Sequence, residues 1–94
     1  MTAILILTIR AAEDMESLHE RDLRRVWKEI DLLCDFPLSS QIAEIPELPE
    51  LRRCVAGNYL IFYDYDEESR YLSIYSVRHG RRKPPTVEDI LPET

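Results

Sequence analysis

The chain has 94 residues, enough for one domain with a modest core and no deep cavity. Its formal charge of −6 and pI near 4.8 argue against a general nucleic-acid coat protein. With only two glycines, both in the second half, it has no phosphate-cradling glycine loop.

The charge is uneven. Residues 1–51 carry eleven acids against five bases, and residues 52–94 carry seven of each. Within that neutral half, Arg78, Arg81, Arg82 and Lys83 form a patch with no acid before Glu88. One end of the molecule can therefore meet a phosphate or an acidic partner despite the net charge. Cys34 and Cys54 make no disulfide framework and are expected as buried thiols. The two histidines, His19 and His79, share no metal-ligand spacing with them, and neither a metal nor a cofactor is expected. The apolar run at residues 3–7 is too short for a signal sequence or a membrane span, so a cytoplasmic protein with no membrane partner is expected.

Residues 2–9 read as a strand, since six of the eight are apolar and β-branched residues are frequent. Residues 10–34 are helical. Ala11, Ala12, Met15 and Leu18 mark one apolar face, and Leu23, Val26, Trp27, Ile30, Leu33 and Cys34 a stronger one. The step of five from Leu18 to Leu23 breaks the phase, and Ser17-Leu18-His19-Glu20 fits a capping box there. A short helix over 10–16 and a longer one from 18 or 22 to 34 are predicted, with one bent helix as the alternative. Trp27 is expected in the core. Residues 35–50 hold Pro37, Pro46 and Pro49 and read as an irregular, acidic loop anchored by Phe36, Ile42, Ile45 and Leu48.

A three-strand meander follows over 51–55, 59–65 and 70–78, with turns at Ala56-Gly57-Asn58 and Asp66-Glu67-Glu68-Ser69. Strand alternation suggests an aliphatic face on the helices and an opposite wall of Tyr59, Tyr63, Tyr65, Tyr71 and Tyr75. Tyrosine suits a half-wet sheet face, and it also suits a partner surface. The meander ends in Arg78-His79-Gly80-Arg81-Arg82. Residues 83–94 leave the sheet after Pro84-Pro85 and form a tail, mobile or with one short helix capped by Thr86.

Leu51-Arg52, then Val55-Ala56-Gly57-Asn58-Tyr59-Leu60-Ile61-Phe62-Tyr63, then Val77-Arg78-His79-Gly80-Arg81-Arg82 resemble the motifs of the RelE/ParE superfamily of bacterial type II toxins. The resemblance implies a single α+β domain: an antiparallel sheet, made of the N-terminal strand and the C-terminal meander, packed on a two-helix hairpin. It implies a cognate antitoxin that wraps and neutralises the toxin, for which the five tyrosines are the candidate surface. It also implies one of two targets. RelE-like members cut mRNA inside the ribosome, whereas ParE-like members poison DNA gyrase without cutting RNA.

RNA cleavage needs a base, an acid and cations around the phosphorane. Arg78, His79 and Arg81 are the candidate catalytic residues, and Arg52, Arg53 and Arg82 the candidate phosphate binders. The alternative for His79 is a hydrogen-bonded residue that fixes the turn before Gly80. Two departures weigh against the ribonuclease: Leu60 stands where a basic residue is common, and no tyrosine follows Arg82. A short helical part leans RelE-like, and the His-Gly ending leans ParE-like. A non-toxic interaction domain of the same fold, a decayed toxin, is the alternative from another functional class.

Overall fold

Arg52–Ala56 (β3), Tyr59–Asp66 (β4) and Tyr71–His79 (β5) form the expected antiparallel meander in the computed structural model, which describes residues 2–91. Gly57 has φ 62° and opens the tight β3–β4 turn, where its left-handed backbone suits the strand twist. Ile4–Leu7 (β1) completes one edge and Gln41–Ile42 (β2) the other, in the order β1-β5-β4-β3-β2. The N-terminal strand corrects the expectation of an all-antiparallel sheet: β1 pairs parallel to β5, Ile4 opposite Tyr71 and Leu7 opposite Ile74. The helical pair carries the chain over to β3, which runs in the direction of β1, and the two antiparallel turns of the meander then bring β5 back in that same direction.

Ile9–Glu16 (α1) starts at Thr8, whose hydroxyl accepts the Ala11 N–H at 3.1 Å and donates to the Tyr75 carbonyl at 3.2 Å. Glu20–Asp35 (α2) follows after a short turn, so the two-helix reading holds over one bent helix. The capping box does not form. Ser17 closes α1, its hydroxyl donating to the Asp14 carbonyl at 2.7 Å, and His19 precedes α2 without a side-chain cap bond. Val26, Ile30 and Leu33 face the sheet, while Trp27, about 100° round the helix from Val26, is left 38% exposed rather than in the core. Cys34 and Cys54 are half-buried free thiols, and burial is the first cause raising the pKa of each.

The helices bury Ala11, Met15, Val26, Ile30 and Leu33 against Ile61, Tyr63, Leu72, Ile74 and Val77. Each large side chain buried this way contributes about 1.5–3 kcal/mol of transfer free energy. The opposite face has its own small core of Ile45, Leu51, Phe62 and Ile90, with Leu48, Leu60 and Tyr75 at its margin. It is covered by the loop before β3 and by the tail, whose helix Val87–Ile90 (α3) buries Ile90 completely. The tail is thus packed through its short helix, and residues 92–94 of the predicted tail lie outside the described residues. Of the expected loop anchors, Ile45 is buried and Leu48 partly so, but Phe36 and Ile42 are exposed. The loop is also less irregular than expected, since β2 lies within it.

The tyrosine wall does not form. Tyr59, Tyr63 and Tyr65 share the helix-covered face with Ile61, and Tyr63 is fully buried, its hydroxyl donating to the Pro37 carbonyl at 2.9 Å. Tyr75 packs on the opposite face and Tyr71, at the start of β5, is 46% exposed. The hairpin register sets this. The turn pairs Asp66 with Tyr71, placing Tyr65 and Tyr63 beside Leu72 and Ile74 on the helix side, so that Tyr71 and Tyr75, of the other parity, turn away from it. A register shift then leaves Tyr75 as an extra residue between Ser76, opposite Phe62, and Ile74, opposite Tyr63, a β-bulge that returns Val77 to the side of Ile61.

Candidate functional site

The basic residues converge where β3 and β5 end and β4 begins, beside the β3–β4 turn. Beyond Leu7, β1 no longer covers β5, and its open edge is taken by Asp14 of α1. The Asp14 carboxylate accepts the Val77 N–H at 2.9 Å and the Ser76 hydroxyl at 3.1 Å. This locks the strand that carries Arg78 and His79.

Arg78 and His79 are successive strand residues, so their side chains leave on opposite faces. Arg78 enters the second core and is only 8% exposed. Its guanidinium donates to the Lys83 carbonyl at 3.1 Å and pairs with Asp89 at 3.6 Å. Burial, then the nearby Arg82, lowers its pKa, while Asp89 and Asp14 oppose that shift. Asp89 is in turn fixed by Thr86, whose N–H and hydroxyl donate to the carboxylate at 2.9 and 3.3 Å. Those bonds, with Arg78, hold Asp89 below the ordinary carboxylate range.

The His79 ring lies edge-on to Tyr59, with centroids 5.3 Å apart. Its Nδ1 accepts the Arg81 N–H at 3.0 Å, and the Gly80 N–H donates to the Asn58 carbonyl at 2.8 Å. The bond at Nδ1 matches the turn-fixing alternative for this histidine. In that arrangement the neutral ring carries its proton on Nε2, so its free nitrogen is a donor and the acceptor is already used. A base role would require the turn to open.

Arg81 and Arg82 are exposed beyond the turn. Arg53, Leu60, Arg78, His79, Arg82 and Lys83 line a cleft of about 380 Å³ together with Glu44, Pro46 and Glu47. The buried Arg53 Nε has no hydrogen-bond partner. Arg52 does not join this group. Its guanidinium donates to the Ser40 carbonyl, and at 3.4 Å to that of Leu38, pinning the loop to the sheet. The structure therefore brings Arg53, Arg78, His79 and Arg82 to one cleft, sets Arg81 beside His79 at the turn, and places Arg52 apart from them against the loop.

Sequence reasoning missed Asp14, Asp89 and the place of Glu44 and Glu47 in the lining of the cleft. Asp14 gave no signal, because its partners lie more than sixty positions away. Thr86 and Asp89 stand at the spacing of a helix cap, which was visible, but its use against Arg78 was not. Among the described residues no His, Cys, Asp and Glu group could hold a metal, and no helix is long and apolar enough to cross a membrane.

The five-strand mixed sheet with its helical pair matches the fold of solved RelE toxin structures. The chain superposes on a chain of the RelBE2 toxin–antitoxin complex from Mycobacterium tuberculosis with a TM-score of 0.73 and 26% identity, covering 84% of this chain and 99% of that one. The isolated Escherichia coli RelE toxin gives 0.72 at 15% identity, with 86% and 87% covered. The archaeal RelE–RelB complex from Pyrococcus horikoshii gives 0.67 at 17%, with 88% and 100% covered. The family model for the ParE toxin of the type II toxin–antitoxin system, parDE, matches residues 5–84, and the chain belongs to that family. No curated protein sequence matches it.

Proposed function

We propose that this toxin, neutralised by a cognate antitoxin, arrests growth by gripping its target with the exposed basic end, and that the target is DNA gyrase rather than mRNA on the ribosome. The observation that carries this reading is the engagement of both central candidates. Arg78 is buried against Asp89 and the Lys83 carbonyl, and His79 Nδ1 accepts from Arg81. A phosphoryl-transfer site needs a free base and free cations converging on one phosphate. Here Arg78 and His79 both border the cleft but leave the strand on opposite faces and are both already engaged, and Glu44 and Glu47 add negative charge to the same lining. What remains available is a pair of exposed arginines, Arg81 and Arg82, suited to clamping an acidic partner surface. The ParE family membership supports the same direction.

Controlled expression with and without the antitoxin tests this, followed by primer extension on cellular mRNA. Growth arrest with intact mRNA and DNA damage, relieved by the antitoxin, is expected. Arrest with discrete cuts within translated mRNA would overturn the gyrase reading, and absence of arrest would favour a non-toxic domain. The Arg81→Ala/Arg82→Ala variant is expected to lose arrest while staying folded. His79→Ala is expected to retain it in part, as a turn is loosened rather than a base removed.

A further inference from the structure

The end of the sheet remote from the basic cluster carries a trough of mixed apolar and acidic lining. Leu38, Ile42, Pro49 and Tyr65 line a hollow of about 540 Å³, rimmed by Glu50, Asp64, Asp66, Glu67 and Glu68. Past Pro49, Glu50 and Asp64 it runs into a second hollow of about 370 Å³ that ends at Tyr75 and Leu91. Leu38, Ile42 and Leu91 are 48%, 40% and 38% exposed, so hydrocarbon lies open along its length. Among the described residues Arg52 is the one base lining it, and its guanidinium is spent on the carbonyls of Leu38 and Ser40. The carboxylates are close enough to act on one another: burial first, then Glu50 and Asp66, raise the Asp64 pKa.

We propose that this trough receives an extended segment of the antitoxin in which apolar side chains alternate with arginines or lysines. The proposal rests on the toxin reading for the identity of the partner, and on charge complementarity for its chemistry. An extended chain sends successive side chains to opposite sides. Apolar residues of one parity then cover Leu38, Ile42 and Tyr65, while cations of the other parity reach the rim carboxylates. Closing the trough removes apolar surface from water and relieves repulsion among the acids, and each contact strengthens the other as water leaves.

The test uses the full chain and a fluorescein-labelled ten-residue peptide that alternates leucine with arginine, with a leucine–glutamate peptide as the counter-probe. Anisotropy should show binding of the arginine peptide that falls as salt is raised. Glu50→Gln/Glu67→Gln/Glu68→Gln should weaken it about tenfold or more, as expected for charge pairs that close with desolvation. Glu13→Gln/Glu16→Gln/Asp31→Asn removes the same charge from exposed helix positions and should change it less than about twofold. Leu38→Ser/Ile42→Ser keeps every charge and should still weaken binding severalfold.

Equal losses in the two charge variants, or no loss on removing Leu38 and Ile42, would overturn the proposal. So would equal binding of the glutamate peptide. Self-association of the free chain that the trough variants abolish would assign the trough to the cationic residues 81–85 of a second copy, and would also overturn it. The peptide assay is independent of growth. Failure here with arrest and rescue intact refutes the trough alone, and absence of arrest refutes the toxin reading alone.

Discussion

The two faces of the sheet are covered in different ways. On one, eight- and sixteen-residue helices lay a continuous hydrocarbon layer over Ile61, Leu72 and Ile74. On the other, a loop and a four-residue helix hold a few buried side chains by point contacts: Ile90 in its pocket, Arg78 on Asp89, Tyr75 on Asp64 at 3.0 Å. Area-proportional burial is insensitive to pH and salt, whereas ion pairs and charged hydrogen bonds are not. The first face therefore sets the stability of the fold. The second controls how the basic end is presented, and it can change without unfolding the sheet.

The sharpest way to break this comparison is to cut equally into both faces. Ile74→Ala opens a cavity in the helix-covered core, where the side chain is fully buried, and should cost about 2–5 kcal/mol. The urea midpoint reads that loss. Ile90→Ala, equally buried, should instead raise amide exchange in the tail ahead of the sheet. Equal protection losses in tail and sheet would show that the faces are one cooperative unit.

Asp14→Ala tests the tie between the faces. It leaves the Val77 N–H and Ser76 hydroxyl without their acceptor and should cost about 1–3 kcal/mol. Asparagine at that position keeps one acceptor oxygen and should recover part of it, as thermal melts would show.

Smallest in stability, but most specific to the second face, is the Arg78–Asp89 contact. Asp89 has a depressed pKa, so its contribution is present above the ordinary aspartate range of about 4 and is lost as pH falls through the lower folded value. The exposed carboxylate limits the stability change to about 1 kcal/mol or less. The tail should loosen with acid before the sheet does, and Asp89→Asn should reproduce that loosening at neutral pH. Hydrogen exchange at Ile90 and Leu91 is the measurement.

Regular periodicity made the long helix, the meander and the basic end legible, because each is dictated by residues close in sequence. What failed depended on distant partners. Alternation cannot say which parity of β4 faces the helices, and the register set by the four-residue β4–β5 turn splits the tyrosines between faces. Arg78 was legible as a cation but not as a buried one, since Asp89 and Lys83 reach it only when the tail folds back. Arg52 likewise looked like a phosphate ligand because its carbonyl partners lie in a loop twelve and fourteen positions away.

The central claim is that the basic end works by gripping a protein target. Supercoiling of relaxed plasmid by purified gyrase, with the purified chain added, tests it most directly. Loss of supercoiling with the native chain, restored in Arg81→Ala/Arg82→Ala and by the antitoxin, is the predicted result. Unchanged supercoiling at a large excess of a folded chain that still arrests growth would contradict it.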